Sequence, residues 1–249
     1  MIIYRSLNEI EKIRKSCHLV ARTVQHLIPM VEPGISTADL DHEAEAFIRR
    51  GGGAPAFKGY RGFPATLCAS INAEVVHGIP SKTRKLKDGD IIGIDCGAIV
   101  DGYYGDHAVT LAVGSISMAS NTLLEDTREA LDIGIAQAKV GNRLSDISHA
   151  IQSFGESRGY SVVKAFVGHG IGTALHEEPQ VPNFGPPGRG PRLRSGMVLA
   201  LEPMLNVGTA DVSILSDNWT VVTADGELSA HFEHTVAVSE TGGIVLSQL

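Results

Sequence analysis

Leu86-Lys-Asp-Gly89-Asp-Ile-Ile-Gly-Ile-Asp95 and Leu193-Arg-Ser-Gly196-Met-Val-Leu-Ala-Leu-Glu202 are the stretches that decide the fold. Each passes a glycine, enters an apolar run and ends on a carboxylate, and every matched pair is separated by 107 positions. The same offset carries Gly34-Ile-Ser-Thr-Ala-Asp39-Leu40-Asp-His42 onto Gly141-Asn-Arg-Leu-Ser-Asp146-Ile147-Ser-His149, Phe47 onto Phe154 and Gly52 onto Gly159. His77-Gly-Ile recurs as His169-Gly-Ile at an offset of 92, so the intervening loops differ in length. One shared offset across so much chain predicts a duplicated unit, approximately 7–113 and 114–239, inside a single domain spanning 1–249.

Outward from these stretches, each half reads as helices followed by strands. Ile10, Ile13, Cys17, Val20, Val24 and Leu27 recur at helical spacing over 7–29, and Glu32-Pro33-Gly34 stops that helix. Residues 37–50 predict a second helix, capped by Thr37, with Leu40 and Phe47 inward. The second half repeats the pair near 122–138 and at 144–157. Strands are expected at 66–72, 91–99, 103–113, 162–168, 197–206, 219–224 and 230–238. The class is α+β: two pseudo-symmetric halves, a central antiparallel sheet, outer helices, and any site at the centre.

Composition narrows the function. At 43% hydrophobic and 20% charged, the chain has apolar residues enough for a sizeable core. A net charge of -7 without a Lys/Arg run gives no footprint for DNA or an anionic membrane. Cys17, Cys68 and Cys96 are scattered and odd in number, which fits neither a disulfide framework nor a cysteine zinc site. No apolar stretch approaches the roughly 18 residues of a membrane span. A cytoplasmic location is expected.

Asp95 and Glu202 end buried-type runs at equivalent positions, where a carboxylate is costly unless a cation or donors compensate it. One such acid reads as a solvated strand end; two equivalent ones point to a shared site. Asp101-Gly102 is a two-residue hairpin turn. It sets Asp95 opposite Ala108 and Gly97 opposite Asp106, so the two aspartates share a face as diagonal neighbours roughly 7–8 Å apart. Asp101 lies in the turn and His107 points to the other face, which excludes both as ligands. In Ala230-His-Phe-Glu-His-Thr-Val-Ala-Val238, His231 and Glu233 share a face and His234 points away. His169 stands between glycines that permit close approach; Gly-His-Gly alone fits a surface turn equally well. Asp95, Asp106, His169, Glu202 and Glu233 form an oxygen-rich set with one imidazole. Its carboxylates would repel one another without cations; two divalent ions about 3.5–4 Å apart would neutralise them. Mn, Fe(II), Co or Zn suits these donors.

These residues carry a family resemblance over essentially the whole chain. Ile-Asp95-Cys-Gly97, Asp106, Gly-His169-Gly-Ile-Gly, His176-Glu-Glu-Pro, Leu-Glu202-Pro, Phe-Glu233-His-Thr and Ser70-Ile-Asn72 followed by His77-Gly-Ile-Pro80 resemble the methionine aminopeptidases, in their short bacterial type I form. The resemblance implies the pita-bread (creatinase/aminopeptidase) fold as one catalytic domain. It implies a dinuclear-metal aminopeptidase, a hydrolase that removes the N-terminal methionine of nascent proteins when the second residue is small. Asp106 and Glu233 would bridge the two ions, Asp95 would hold one, and His169 with Glu202 the other. Glu202 would shuttle the proton, and His77 and His176 would contact the substrate backbone. A monomer is implied, and transient ribosome association is expected from the substrate.

The positions matching the family's methionine cup are Phe57, Tyr60, Phe63, Cys68, Leu175 and Trp219. Phe57 stands where a cysteine is common, Phe63 where a tyrosine is, and Leu175 where a phenylalanine is; core packing explains Phe63 and Leu175 equally well. Two other readings share the fold. An Xaa-Pro aminopeptidase would carry the same five ligands, and a non-catalytic binding protein would lose some of them.

Overall fold

A computed structural model describes residues 1–249. Helix α1 is Leu7–Leu27, α2 is Thr37–Arg50, α3 is Met118–Gln137 and α4 is Leu144–Ser157. The six apolar positions expected on the inner face of α1 are all buried. Leu40 of α2 is buried too, whereas Phe47 is half-exposed and stacks on His26 at 4.6 Å. The cap of α2 is Ser36, not Thr37. Ser36 has the extended backbone of a cap, its hydroxyl accepts the N–H of Asp39, and the Asp39 carboxylate accepts the N–H of Ser36. Helix α3 starts at Met118, earlier than its apolar pattern, because the Ser117 hydroxyl accepts the N–H of Ser120.

The main sheet has nine strands, all antiparallel to their neighbours. Its order is Ala54–Pro55, Ile91–Val100, Tyr103–Ala112, Glu233–Val238, Val198–Leu201, Gly168–Gly170, Glu177–Val181. Leu67–Ile71 joins at Ile91–Val100, and Gly243–Val245 at Glu233–Val238. The hairpin turns at Asp101 (φ 51) and Gly102 (φ 80), as the Asp-Gly pair demands. The first and second halves meet where Glu233 and His234 pair with Ala108 and His107.

Local contacts recur at the 107-residue offset. Gly34 N–H donates to the Leu86 carbonyl at 2.8 Å, and Gly141 N–H to that of Leu193 at 3.2 Å. Leu86 N–H returns to Ile35 and Leu193 N–H to Asn142. Ser36 pairs with Lys85 as Arg143 pairs with Arg192. Gly34 and Gly141 both have positive φ, which glycine adopts without strain.

Three expected strands are broken, and 219–224 shortens to Val221–Thr223. The run 197–206 divides into Val198–Leu201 and Met204–Asn206 around Glu202-Pro203, since proline offers no ladder N–H. The run 230–238 divides at Phe232 into Ser229–His231 and Glu233–Val238. His231 therefore joins a small sheet beside Met204 and does not share the face of Glu233. The run 162–168 resolves into Ser161–Val162 and Gly168–Gly170, in different sheets. No helix is long and apolar enough to cross a membrane.

Candidate metal centre and substrate cavity

The hairpin register sets Asp95 opposite Ala108 and Asp106 opposite Gly97, so both acids share one sheet face. On the adjoining strand Glu233 also lies beside Ala108. His169 pairs with Ala200, just before Glu202. All five expected donors converge on one cavity of 620 Å³. Ligand atoms of Asp106, His169 and Glu233 lie within 4.8 Å of one another, and His169 Nε2 is 3.6 Å from Glu202 Oε1. The flanking glycines are required: a Cβ at Gly168 would strike the Ala200 carbonyl, and one at Gly170 that of Glu178. Asp101 stays in its turn. His107 faces away and stacks on His234 at 4.6 Å, its Nδ1–H donating to the Glu233 carbonyl.

Burial is the main force on this cluster. It raises the carboxyls of Asp106, Glu202 and Glu233 well above the usual range, and their mutual repulsion adds to it. Asp95 is pushed up to about 7 by burial, against a hydrogen bond from the Cys68 thiol. His169 goes the other way, to about 3, so it is neutral. Its Nδ1–H donates to the Gly170 carbonyl at 2.9 Å, which turns the Nε2 lone pair toward the acids. Asp95 Oδ1 and Glu233 Oε1 are buried without a hydrogen-bond partner. Orphaned anionic oxygens facing an imidazole lone pair suit divalent cations, which supply the missing partners.

A proton linkage follows. Near pH 6 the metal-free acids retain protons that ordinary carboxyls have lost, while metal binding requires them ionised. Loading Mn²⁺ near pH 6 is expected to release protons, and affinity to rise as pH climbs toward 7. Calorimetric titration in buffers of different ionisation enthalpy reads this; no proton release near pH 6 would contradict the crowding.

Two further histidines flank the acids. His77 has φ 62, rare for a side-chain-bearing residue. Its ring meets the edges of Phe166 at 5.4 Å and Trp219 at 6.2 Å, and burial depresses it to about 4. The His176 ring lies 4.2 Å from that of His169, and its Nδ1 is 2.8 Å from the Tyr60 hydroxyl.

The apolar cup lies in the same cavity. Phe57, Phe63, Cys68 and Leu175 line it and are buried; Tyr60 and Trp219 complete its rim. Trp219 meets Phe63 edge-on at 5.1 Å. Gly97 makes room for Phe57, because a Cβ there would overlap its ring. Phe63 and Leu175 pack in one apolar cluster and also line the cavity. The sequence reading missed Arg61, Phe166, Glu178 and Gln180, which line it as well. Arg61 sits between Gly59 and Gly62, both at positive φ, and that glycine bracket was its one signal. Phe166 had none.

The metallopeptidase family M24 profile matches residues 11–240, and the chain belongs to that family. The likeness to methionine aminopeptidases runs from end to end. "Methionine aminopeptidase 1" of Bacillus subtilis (strain 168) is 53% identical over 249 residues, covering all of both chains. The crystal structure of a methionine aminopeptidase from Thermotoga maritima superposes with a TM-score of 0.98 at 43% identity, again covering both chains fully. An X-Pro aminopeptidase structure from the same species reaches 0.80 at 21% identity and is covered to only 63%; it shares the fold alone. The architecture is thus the pita-bread fold.

Proposed function

We propose that the chain removes the N-terminal methionine from peptides and nascent proteins whose second residue is small. The observation that carries this is the junction of an acid-rich, cation-seeking cluster with an apolar, sulfur-compatible cup in one cavity. A thioether packs well against the edges of Phe57, Phe63 and Trp219 and the Cys68 sulfur. The end-to-end identity to methionine aminopeptidases and the fold-only likeness to X-Pro enzymes support this specificity over the Xaa-Pro alternative. Retention of all five donors argues against a non-catalytic binding protein.

Two divalent ions (Mn, Fe(II), Co or Zn), when bound, would lower the pKa of water and polarise the scissile carbonyl. Asp106 and Glu233 would bridge them, Asp95 would hold one ion, and His169 with Glu202 the other. Glu202, at the edge of the donor set, would accept the water's proton and pass it to the leaving amine. His176 would donate to the scissile carbonyl, and His77 would steady the substrate backbone. The walls of the cup exclude water from the methionine side chain. We also propose a duplicated single domain, 7–113 and 114–239, acting as a cytoplasmic monomer that meets its substrates near the ribosome.

The test is release of the first residue from Met-Ala-Ser and Ala-Pro-Ser, before and after chelation. The expected result is methionine release that chelator abolishes and Mn²⁺ or Co²⁺ restores. Cleavage of Ala-Pro-Ser alone would move the activity to the Xaa-Pro branch. Cleavage of neither with metal loaded would favour the binding protein.

A further inference from the structure

Tyr60 sits on a one-turn 3₁₀ segment, Tyr60–Gly62, held between glycines at positive φ. From there its hydroxyl crosses the cavity to His176 Nδ1, 116 positions away and in the other half, at 2.8 Å. The two rings tilt at 31° with centroids 5.2 Å apart, so hydrogen bond and ring contact fix one orientation together. This is the sole hydrogen bond of the Tyr60 hydroxyl.

From this geometry we infer that Tyr60 is a positioning residue. Its phenol donates to His176 Nδ1 and so fixes the tautomer that presents Nε2–H to the scissile carbonyl of the substrate. The inference rests on the proposed role of His176.

The chemistry runs in one direction. A neutral imidazole carries its proton on one nitrogen and accepts at the other, and the phenol lies 2.8 Å from Nδ1. If Nδ1 carried it, the phenol proton would have no partner in the protein and Nε2 would face the substrate as an acceptor, repelling a carbonyl oxygen. Donation by the phenol satisfies both groups. It also matches His169, where the partner of Nδ1 decides what Nε2 offers. The two neighbouring rings then differ: Nδ1 of His169 donates to a carbonyl and leaves Nε2 a lone pair, whereas Nδ1 of His176 accepts and leaves Nε2 a proton.

A wall of the methionine cup needs the ring of Tyr60; a positioning residue needs its hydroxyl. Tyr60→Phe separates them. The expected result is a fall in kcat on Met-Ala-Ser of roughly 10- to 100-fold with KM within about twofold, the range for losing a partner that orients a site histidine. The second readout is the long-range ¹⁵N–¹H histidine spectrum of the metal-free chain, with His176 assigned through His176→Asn. The Nε2–H form is expected in the parent and a mixture of tautomers in Tyr60→Phe. An Nδ1–H form in the parent, or an unchanged tautomer and kcat in Tyr60→Phe, would overturn the inference. A raised KM with unchanged kcat would leave Tyr60 a cup wall only. Should the parent release no methionine yet show the tautomer change, the substrate reading fails and the positioning role stands.

Discussion

Glu202→Gln is expected to lower kcat on Met-Ala-Ser by about 10³-fold, within the range a general acid–base group contributes. The amide keeps the size of the side chain and its place after Leu201, but it cannot take a proton from water. The fold should survive, because the substitution removes one of several repelling charges rather than a favourable partner. Glu202 is already driven toward its neutral form by burial and by Asp95, so a neutral amide suits the metal-free site. Steady-state kinetics at saturating Mn²⁺ with a parallel thermal melt check both halves of the claim. A kcat within tenfold of the parent would remove Glu202 as the proton shuttle.

Asp106→Asn should act on metal content first and on rate as a consequence. Asp106 is buried, stands beside Glu233 and His169, and its Oδ1 accepts only the N–H of His107 at 3.1 Å from protein. An amide oxygen in that place would lack the charge for the bridging role proposed for Asp106. Metal per chain after desalting should fall, and kcat/KM should drop by at least about 10²-fold, the upper range for disturbing even a residue that supports a ligand. Elemental analysis reads the first effect. Unchanged stoichiometry would mean that the hairpin face was assigned to the wrong acid.

The hairpin was legible because its signals are local and agree: an Asp-Gly turn between apolar strands leaves one register, and the register fixes which acids share a face. The breaks near Glu202 and Phe232 were harder to see, because apolar residues continue on both sides of Glu202-Pro203 and the alternation of 230–238 reads as one uninterrupted strand. Pro203 was the available cue at the first; nothing comparable marks Phe232. Ser36 and Thr37 are adjacent hydroxyl residues, and the carboxylate three places on distinguishes them: Asp39 stands at the right distance for Ser36. The Tyr60–His176 bond joins residues in different halves, so no spacing rule reaches it, and motif matching offered Tyr60 only as part of the cup.

The pairing of Glu233 with Ala108 has a consequence for the birth of the enzyme. A chain leaves the ribosome from its N-terminus, so Asp95 and Asp106 are made and can fold into their hairpin long before Glu202 and Glu233 exist. During that interval the two aspartates lack the imidazole and the opposing carboxylates that complete the proposed donor set. Only when the 233–238 segment docks onto the hairpin is the proposed donor set complete. On the proposed assignment metal capture waits for the end of synthesis, because a chain cut before Glu202 would lack both Glu202 and Glu233.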